Sequence, residues 1–342
     1  MCAKCMICQE NEATKTNSHV IPSFLITMFT SYNGSGKRDT EVLFSISDTK
    51  DSVYTGRAVP DTKLEGLFDT EKLTEERIQE ELSKNTVAKD FIFCPQCEKR
   101  LADLLESPYA QNQRNGQNIN DDVPLFFWLS VVWRMSVTSD YGFTLGEDIE
   151  NTLQIYLKSY FVQRENHTNL DDTIKNVPFR YKLLRCKDYC KVESGFCFAK
   201  FENGILTMIL GDYILQVIFK LQSDFPETEF FGAETFLEEA TINHGTSKEV
   251  VIELDVDAYK KIVDSFVQNA AHLKRVAIEE KLDFVWQCLG HIGMMPTELK
   301  KEFFETYYDE KVKIGDRHEK KHFTVVLTRI LAKHDKSKAY GK

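Results

Sequence analysis

Apolar residues fill nearly every position from Pro124 to Val137 (PLFFWLSVVWRMSV), with Arg134 the one charged side chain in the run. A segment with no polar stripe is buried on all sides, and this one falls short of the roughly 20 residues that a membrane-spanning helix needs. It predicts a core helix over 124–137. A second helix is predicted over about 147–161, where Ile149, Leu153, Tyr156, Leu157, Tyr160 and Phe161 recur at helical spacing. Between Phe179 and Leu221 the period shortens to that of antiparallel strands, and Asn203-Gly204 between apolar runs predicts a two-residue hairpin turn. From Val256 onward the spacing is helical again. Ile262, Val263, Phe266, Ala270 and Leu273 form one stripe, and Phe323, Val326, Leu327, Ile330 and Leu331 form another in a closing helix over about 319–334. Such stripes read as core.

The first third is less regular. His19-Val20-Ile21-Pro22 is strand-like and Ser23 to Phe29 helix-like, and Ser31 to Asp39 is loop by composition. A poorly patterned stretch reaches about Asp69. A short helix follows, with Thr74 as N-cap and Glu75 and Glu76 facing the helix dipole. Phe91-Ile92-Phe93 leads into Cys94-Pro95-Gln96-Cys97 and then a helix through Glu106, with Leu101, Leu104 and Leu105 on one face. Residues 107–122 (SPYAQNQRNGQNINDD) are polar and read as a linker. The expected fold is therefore α+β. A cysteine-bearing module spans 1–110, and a mainly helical unit with a small antiparallel sheet spans 121–342, with helices over 124–161, strands over 179–221 and helices over 256–334.

Charge narrows the partners. Lys and Arg total 43 against 53 Asp and Glu, a net charge of −10. A phosphate backbone repels such a chain, so nucleic-acid contact requires a local basic patch. The tail from Asp316 to Lys342 has eight Lys or Arg against three acidic residues, and its simpler reading is a solvated helix end. No membrane partner is expected. The opening residues lack the basic stretch and apolar run of a secretory signal. The expected location is the cytoplasm, where clustered thiols hold metal rather than forming disulfides.

Of nine cysteines, five lie in CxxC spacing within the first hundred residues. Zinc takes four thiolates in a tetrahedron, and each CxxC turn supplies two of them. Cys5 and Cys8 form one pair and Cys94 and Cys97 the other, so the 85 residues between Cys8 and Cys94 must fold back. Cys2 makes an overlapping CxxC with Cys5, but ordering a frayed terminus costs entropy, which favours Cys8. Cys186, Cys190, Cys197 and Cys288 have no partner at zinc spacing and read as packing residues. Four thiolates close the shell, which makes the expected Zn²⁺ structural.

The order Cys5-Met6-Ile7-Cys8, Ser18-His19-Val20-Ile21-Pro22, Cys94-Pro95-Gln96-Cys97-Glu98 resembles the zinc-braced HNH endonucleases, a treble-clef-like group, over residues 1 to about 110. The resemblance implies a ββα finger around a divalent metal, buttressed by the zinc. It implies His19 as the general base that activates water against a phosphodiester, a role suited to a group that titrates near neutrality. It also implies a catalytic Mg²⁺ or Mn²⁺, for which the Glu98 carboxylate is a candidate ligand, and nucleic acid, DNA before RNA, as substrate. Ser18 stands where the family carries an acidic residue, and Glu98 where it carries Asn or His; the middle Asn has two candidates, Asn33 and Asn85. HNH modules with a second domain are frequent in bacterial restriction and phage defence. That implies a sensing or binding role for residues 121–342, toward a protein partner or a second copy. The alternative is a binding or adaptor protein whose zinc finger is purely structural.

Three other patterns carry less. His318-Glu319-Lys320-Lys321-His322 satisfies the HExxH pattern of zinc metalloproteases, but it sits at the charged start of a terminal helix. Ser35-Gly36-Lys37 lacks the first Gly of a phosphate loop. Arg134, inside the apolar helix, needs a core carboxylate or a ligand as its partner.

Overall fold

The chain begins with β1 (Ser18–His19) and α1 (Ser23–Thr30), followed by β2 (Val42–Ile46), β3 (Asp51–Thr55) and β4 (Ala88–Lys89) in a computed structural model. It describes residues 3–30, 42–46, 51–55, 87–168, 170, 172–193, 195–220, 225, 230–245, 247–309 and 320–339. The expected helix after Thr74, the Ser31–Asp39 loop, Asn33, Asn85, His318 and Glu319 lie outside those residues. Next come α2 (Pro95–Arg100), a π-helical turn (Leu101–Glu106) and α3 (Ser107–Asn115), which run on without interruption. The core helices α4 (Asp122–Thr138) and α5 (Glu147–Glu165) follow, then α6 (Asp172–Lys175). The remaining elements are β5 (Arg180–Arg185), α7 (Tyr189–Val192), β6 (Cys197–Glu202), β7 (Ile205–Leu210), β8 (Tyr213–Ile218), α8 (Glu234–Glu239), β9 (Ile252–Glu253), α9 (Val256–Cys288), α10 (Thr297–Tyr307) and α11 (Lys320–Ala339). The fold is α+β, and no helix among the described residues is long and apolar enough to cross a membrane.

The predicted antiparallel strands form, and the sheet they build is wider than expected. β6, β7, β8 and β5 pair antiparallel in that order. The β2–β3 hairpin joins the β6 edge in parallel through Ser45 and Ile46, and β9 joins the β5 edge in parallel, giving seven strands among the described residues. Asn203 (φ 53°) and Gly204 (φ 79°) both take the left-handed conformation that a two-residue hairpin with right-twisted strands requires. Tyr181, Leu183, Leu206, Met208, Tyr213, Leu215 and Val217 face the main core. The other face carries a polar row in direct register, Thr207, Gln216 and Lys182, all buried. The Lys182 ammonium donates to the Leu237 carbonyl at 2.6 Å.

The boundary expected at 107–122 is absent. Residues 1–60 and 75–265 belong to one compact unit, and residues 266–342 to a second. Two physical causes explain the misreading. The polar side chains of 107–115 coat the outer face of α3, while its inner face buries Tyr109, stacked on Phe127 at 4.1 Å and 14°. And β2, from the N-terminal third, pairs with β6 rather than closing a module of its own. α3 stops at Gly116 (φ 66°), whose N–H bonds the Asn112 carbonyl at 2.8 Å. Gly116→Ala puts a Cβ in this left-handed position and is expected to lower unfolding free energy by about 1 kcal/mol in urea melts.

Along α9, Ile262, Val263 and Phe266 are buried as expected, whereas Leu273 is 54% exposed. The second unit packs Leu282 and Trp286 of α9 with Leu299, Phe303 and Tyr307 of α10 and Val326, Leu327 and Ile330 of α11. His322, one imidazole of the HExxH pattern, is fully buried, with Nε2 3.0 Å from the Tyr307 carbonyl oxygen.

Candidate metal centre

The first CxxC sits at the tip of a tight hairpin. Lys4 and Glu12 bridge antiparallel, the Cys5 N–H reaches the Asn11 carbonyl at 2.8 Å, and Gln9 turns the chain at φ 59°. The second opens α2. Cys94 is the N-cap, Pro95 follows it in the first turn, where its missing N–H costs nothing, and the Cys97 N–H donates to the Cys94 sulfur at 3.4 Å. Backbone bonds Met6 N–H to Ile92 O and Lys15 N–H to Phe93 O, both 3.0 Å, hold the two turns against each other.

Cys5, Cys8, Cys94 and Cys97 are all buried, and their sulfurs lie within 4.8 Å of one another. The Cys8 and Cys94 sulfurs are 4.0 Å apart. A tetrahedron with Zn–S bonds of about 2.3 Å has edges of about 3.8 Å, so the four fit a zinc ion. Their ionisation fits as well. The Cys97 thiol hydrogen-bonds Cys5, which pulls Cys5 down toward thiolate and, with burial, pushes Cys97 far up. A divalent cation removes that competition and lets all four deprotonate. The Asn11 amide reaches the Cys94 sulfur at 3.8 Å. The buried four-cysteine cluster is thus a site able to hold a metal ion such as zinc.

Helix α5 clamps this centre from outside. Gln154 donates to the Ile7 carbonyl, and Lys158 to the Cys8 carbonyl at 3.0 Å and to Glu10 at 2.7 Å. Arg100, on the helix of the second pair, forms a two-point ion pair with Glu165. Nothing in the sequence signals these clamps, because Gln154 and Lys158 look like ordinary solvated positions on a helix surface.

His19 and Glu98 come from β1 and α2, the elements that flank the cysteines. β1 pairs antiparallel with β4, Ser18 opposite Lys89 and His19 opposite Ala88. Successive strand residues face opposite ways. Ser18 is the one turned inward, fully buried, with its hydroxyl beside the Glu98 carboxyl but not in a well-formed hydrogen bond to it. His19 is half-buried. Burial raises the Glu98 pKa, and the Ser18 hydroxyl, Arg134 and Lys15 oppose that rise.

Arg134 pairs with a carboxylate, the half-buried Glu106, as its position demanded. The arginine is 1% exposed. Its Nη1 donates to Glu106 at 2.8 Å and to the His19 carbonyl at 3.0 Å, and its Nε to the Ser130 carbonyl at 3.1 Å. Glu106 closes the π-helical turn, so one guanidinium ties α4, β1 and the cysteine-bearing helix together. Among the other cysteines, Cys186 and Cys197 are buried, Cys190 is half-buried and Cys288 is exposed.

Searches against protein-family models, curated protein sequences and solved structures return no match to this chain.

Proposed function

We propose that this chain is a metal-dependent nuclease that hydrolyses phosphodiester bonds, with His19 as general base and Glu98 as a ligand for Mg²⁺ or Mn²⁺. The observation that supports it is the order of elements around the cysteine cluster. Strands β1 and β4 pair antiparallel and a helix follows, with His19 on the first strand and Glu98 on the helix that carries the second cysteine pair. Glu98 would supply one hard oxygen ligand to such an ion, which keeps several waters when bound by few carboxylates. Bound there, the ion would offset charge developing on the phosphate. The His19 imidazole takes the proton of the attacking water. Zinc at the four cysteines acts as scaffold, since its shell is full.

The test is cleavage of plasmid DNA and of RNA with Mg²⁺ or Mn²⁺. His19→Ala is expected to lower the rate by at least about 100-fold, with zinc content and melting temperature unchanged. A second reading, a zinc-braced binding or adaptor protein without catalysis, draws on Arg134. A fixed guanidinium beside Glu98 repels a second cation, Ser18 is closed to solvent, and strand alternation turns His19 to the side of β1 away from Glu98. Wild-type protein that cleaves neither substrate with either metal favours this second reading.

A further inference from the structure

We propose that Glu249 is a proton-operated latch: its carboxyl group, seated in a box of Tyr109, Trp128 and Tyr181, holds the loop after Asn243 against the core and lets it go on ionising. The three donors come from three elements. Tyr109 of α3 reaches the carboxyl group at 3.1 Å, Trp128 Nε1 of α4 at 3.1 Å, and the Tyr181 hydroxyl of β5 at 2.7 Å. All three rings are buried, at 0–1% exposure. The loop between Asn243 and Val250 is closed at its base. Asn243 exchanges backbone hydrogen bonds with Tyr181 at 2.8 and 3.2 Å, and its side-chain amide bonds both the carbonyl and the N–H of Val250, at 2.9 and 2.7 Å. Beyond that base the half-buried Glu249 carries its carboxyl group into the box, while Lys248 and Val250 on either side of it are exposed.

The box stabilises either protonation state, but unequally. An ionised carboxylate gains three donors, yet none of the three carries a charge. The nearby cation, Arg185 of β5, is committed to Gln113 at 2.7 Å and to Glu253 at 3.8 Å. Loss of hydration outweighs the hydrogen bonds, and burial pushes the Glu249 pKa up to about 7. The surrounding phenols of Tyr109, Tyr181 and Tyr213 are all shifted upward by burial and stay neutral. On the loop itself, burial and Arg180 lower the His244 pKa, which moves its charge change to the acid side, away from neutrality. Glu249 is therefore the member of this set that changes charge near neutrality. The sign follows from linkage. A carboxyl whose pKa is raised in the closed state favours closure at low pH, and that advantage fades as pH rises from the ordinary carboxylate range through about 7.

Lys248 makes the state of the loop measurable. Limited trypsin cleavage after Lys248, taken as the ratio of wild type to Glu249→Gln, is expected to rise about tenfold from about pH 6 to about pH 8. The ratio removes the protease's own pH dependence, because a glutamine side chain does not ionise. Should the variant fold poorly, hydrogen exchange of the loop in the wild-type protein, corrected for intrinsic rates, reports the same opening and is expected to lose protection over that range. A flat ratio, or loop protection that holds or grows toward high pH, overturns the latch.

Discussion

Cys94→Ser is expected to abolish metal binding at the four-cysteine cluster and to lower the stability of the first unit by on the order of 5 kcal/mol. Isolated zinc-finger peptides owe about 10–16 kcal/mol to their metal. The smaller figure applies here because the elements around the cluster have other support. Val20, Ile21, Leu25, Phe93, Leu101 and Leu105 belong to the same core as Phe127, Trp128 and Trp133, and α5 grips the first cysteine turn through Gln154 and Lys158. Even so, the loss is comparable with the whole stability of many domains. Cys94 is the right target because its sulfur lies 4.0 Å from that of Cys8 and accepts from both Cys97 N–H and Asn11. Cys190→Ser, at a half-buried thiol outside the cluster, serves as the control and is expected to keep its zinc. Metal analysis and urea melts check both. A Cys94→Ser protein with a full equivalent of zinc, or an unmoved midpoint, would sink the assignment.

Arg134→Met is the second large effect, a loss of about 3–5 kcal/mol. Methionine fills much of the volume of the arginine stem, so little of the loss comes from packing. It comes from stranded partners. The Glu106 carboxylate loses its ion pair, and the carbonyls of His19 and Ser130 lose their donor inside the protein. Combining Arg134→Met with Glu106→Gln removes the uncompensated charge and is expected to recover part of the loss, so that the two changes together cost less than their sum. Urea melts of the four proteins give the coupling directly. Equal stability of wild type and Arg134→Met would show that the network carries no energy. The cycle also bears on function, because the Arg134 bond to the His19 carbonyl fixes the end of β1. Under the nuclease reading, Arg134→Lys is expected to retain more activity than Arg134→Met.

Some of this structure can be read in the sequence because the signals are local. Two CxxC turns imply a shared metal whatever separates them, and the fold brings their four sulfurs together. The largely apolar run at 124–137 implies a buried helix, and α4 is one. Asn203-Gly204 implies a hairpin turn and makes one. Arg134 announces that it needs a partner, although nothing names Glu106, 28 residues upstream at the end of a π-helical turn. Other features have no local signature. β2 and β3 gain their place from β6, far along the chain, and their short runs show no periodicity of their own. α3 resembles a linker because its outer face is all that composition reveals. Glu249 reads as one more surface acid, since its box is assembled from three elements that only the fold brings together. The placement of Ser18 rather than His19 toward Glu98 follows from strand alternation, which becomes visible only once the pairing with β4 is known.

The central claim is that Cys5, Cys8, Cys94 and Cys97 close a four-sulfur shell around one metal ion such as zinc and so tie the two cysteine turns together. X-ray absorption at the zinc edge, with metal analysis of the same purified wild-type protein, tests it most directly. The expected result is one zinc per chain in a shell of four sulfurs at about 2.3 Å. A shell containing nitrogen or oxygen ligands, or metal-free protein whose four cysteines titrate as free thiols, would contradict it.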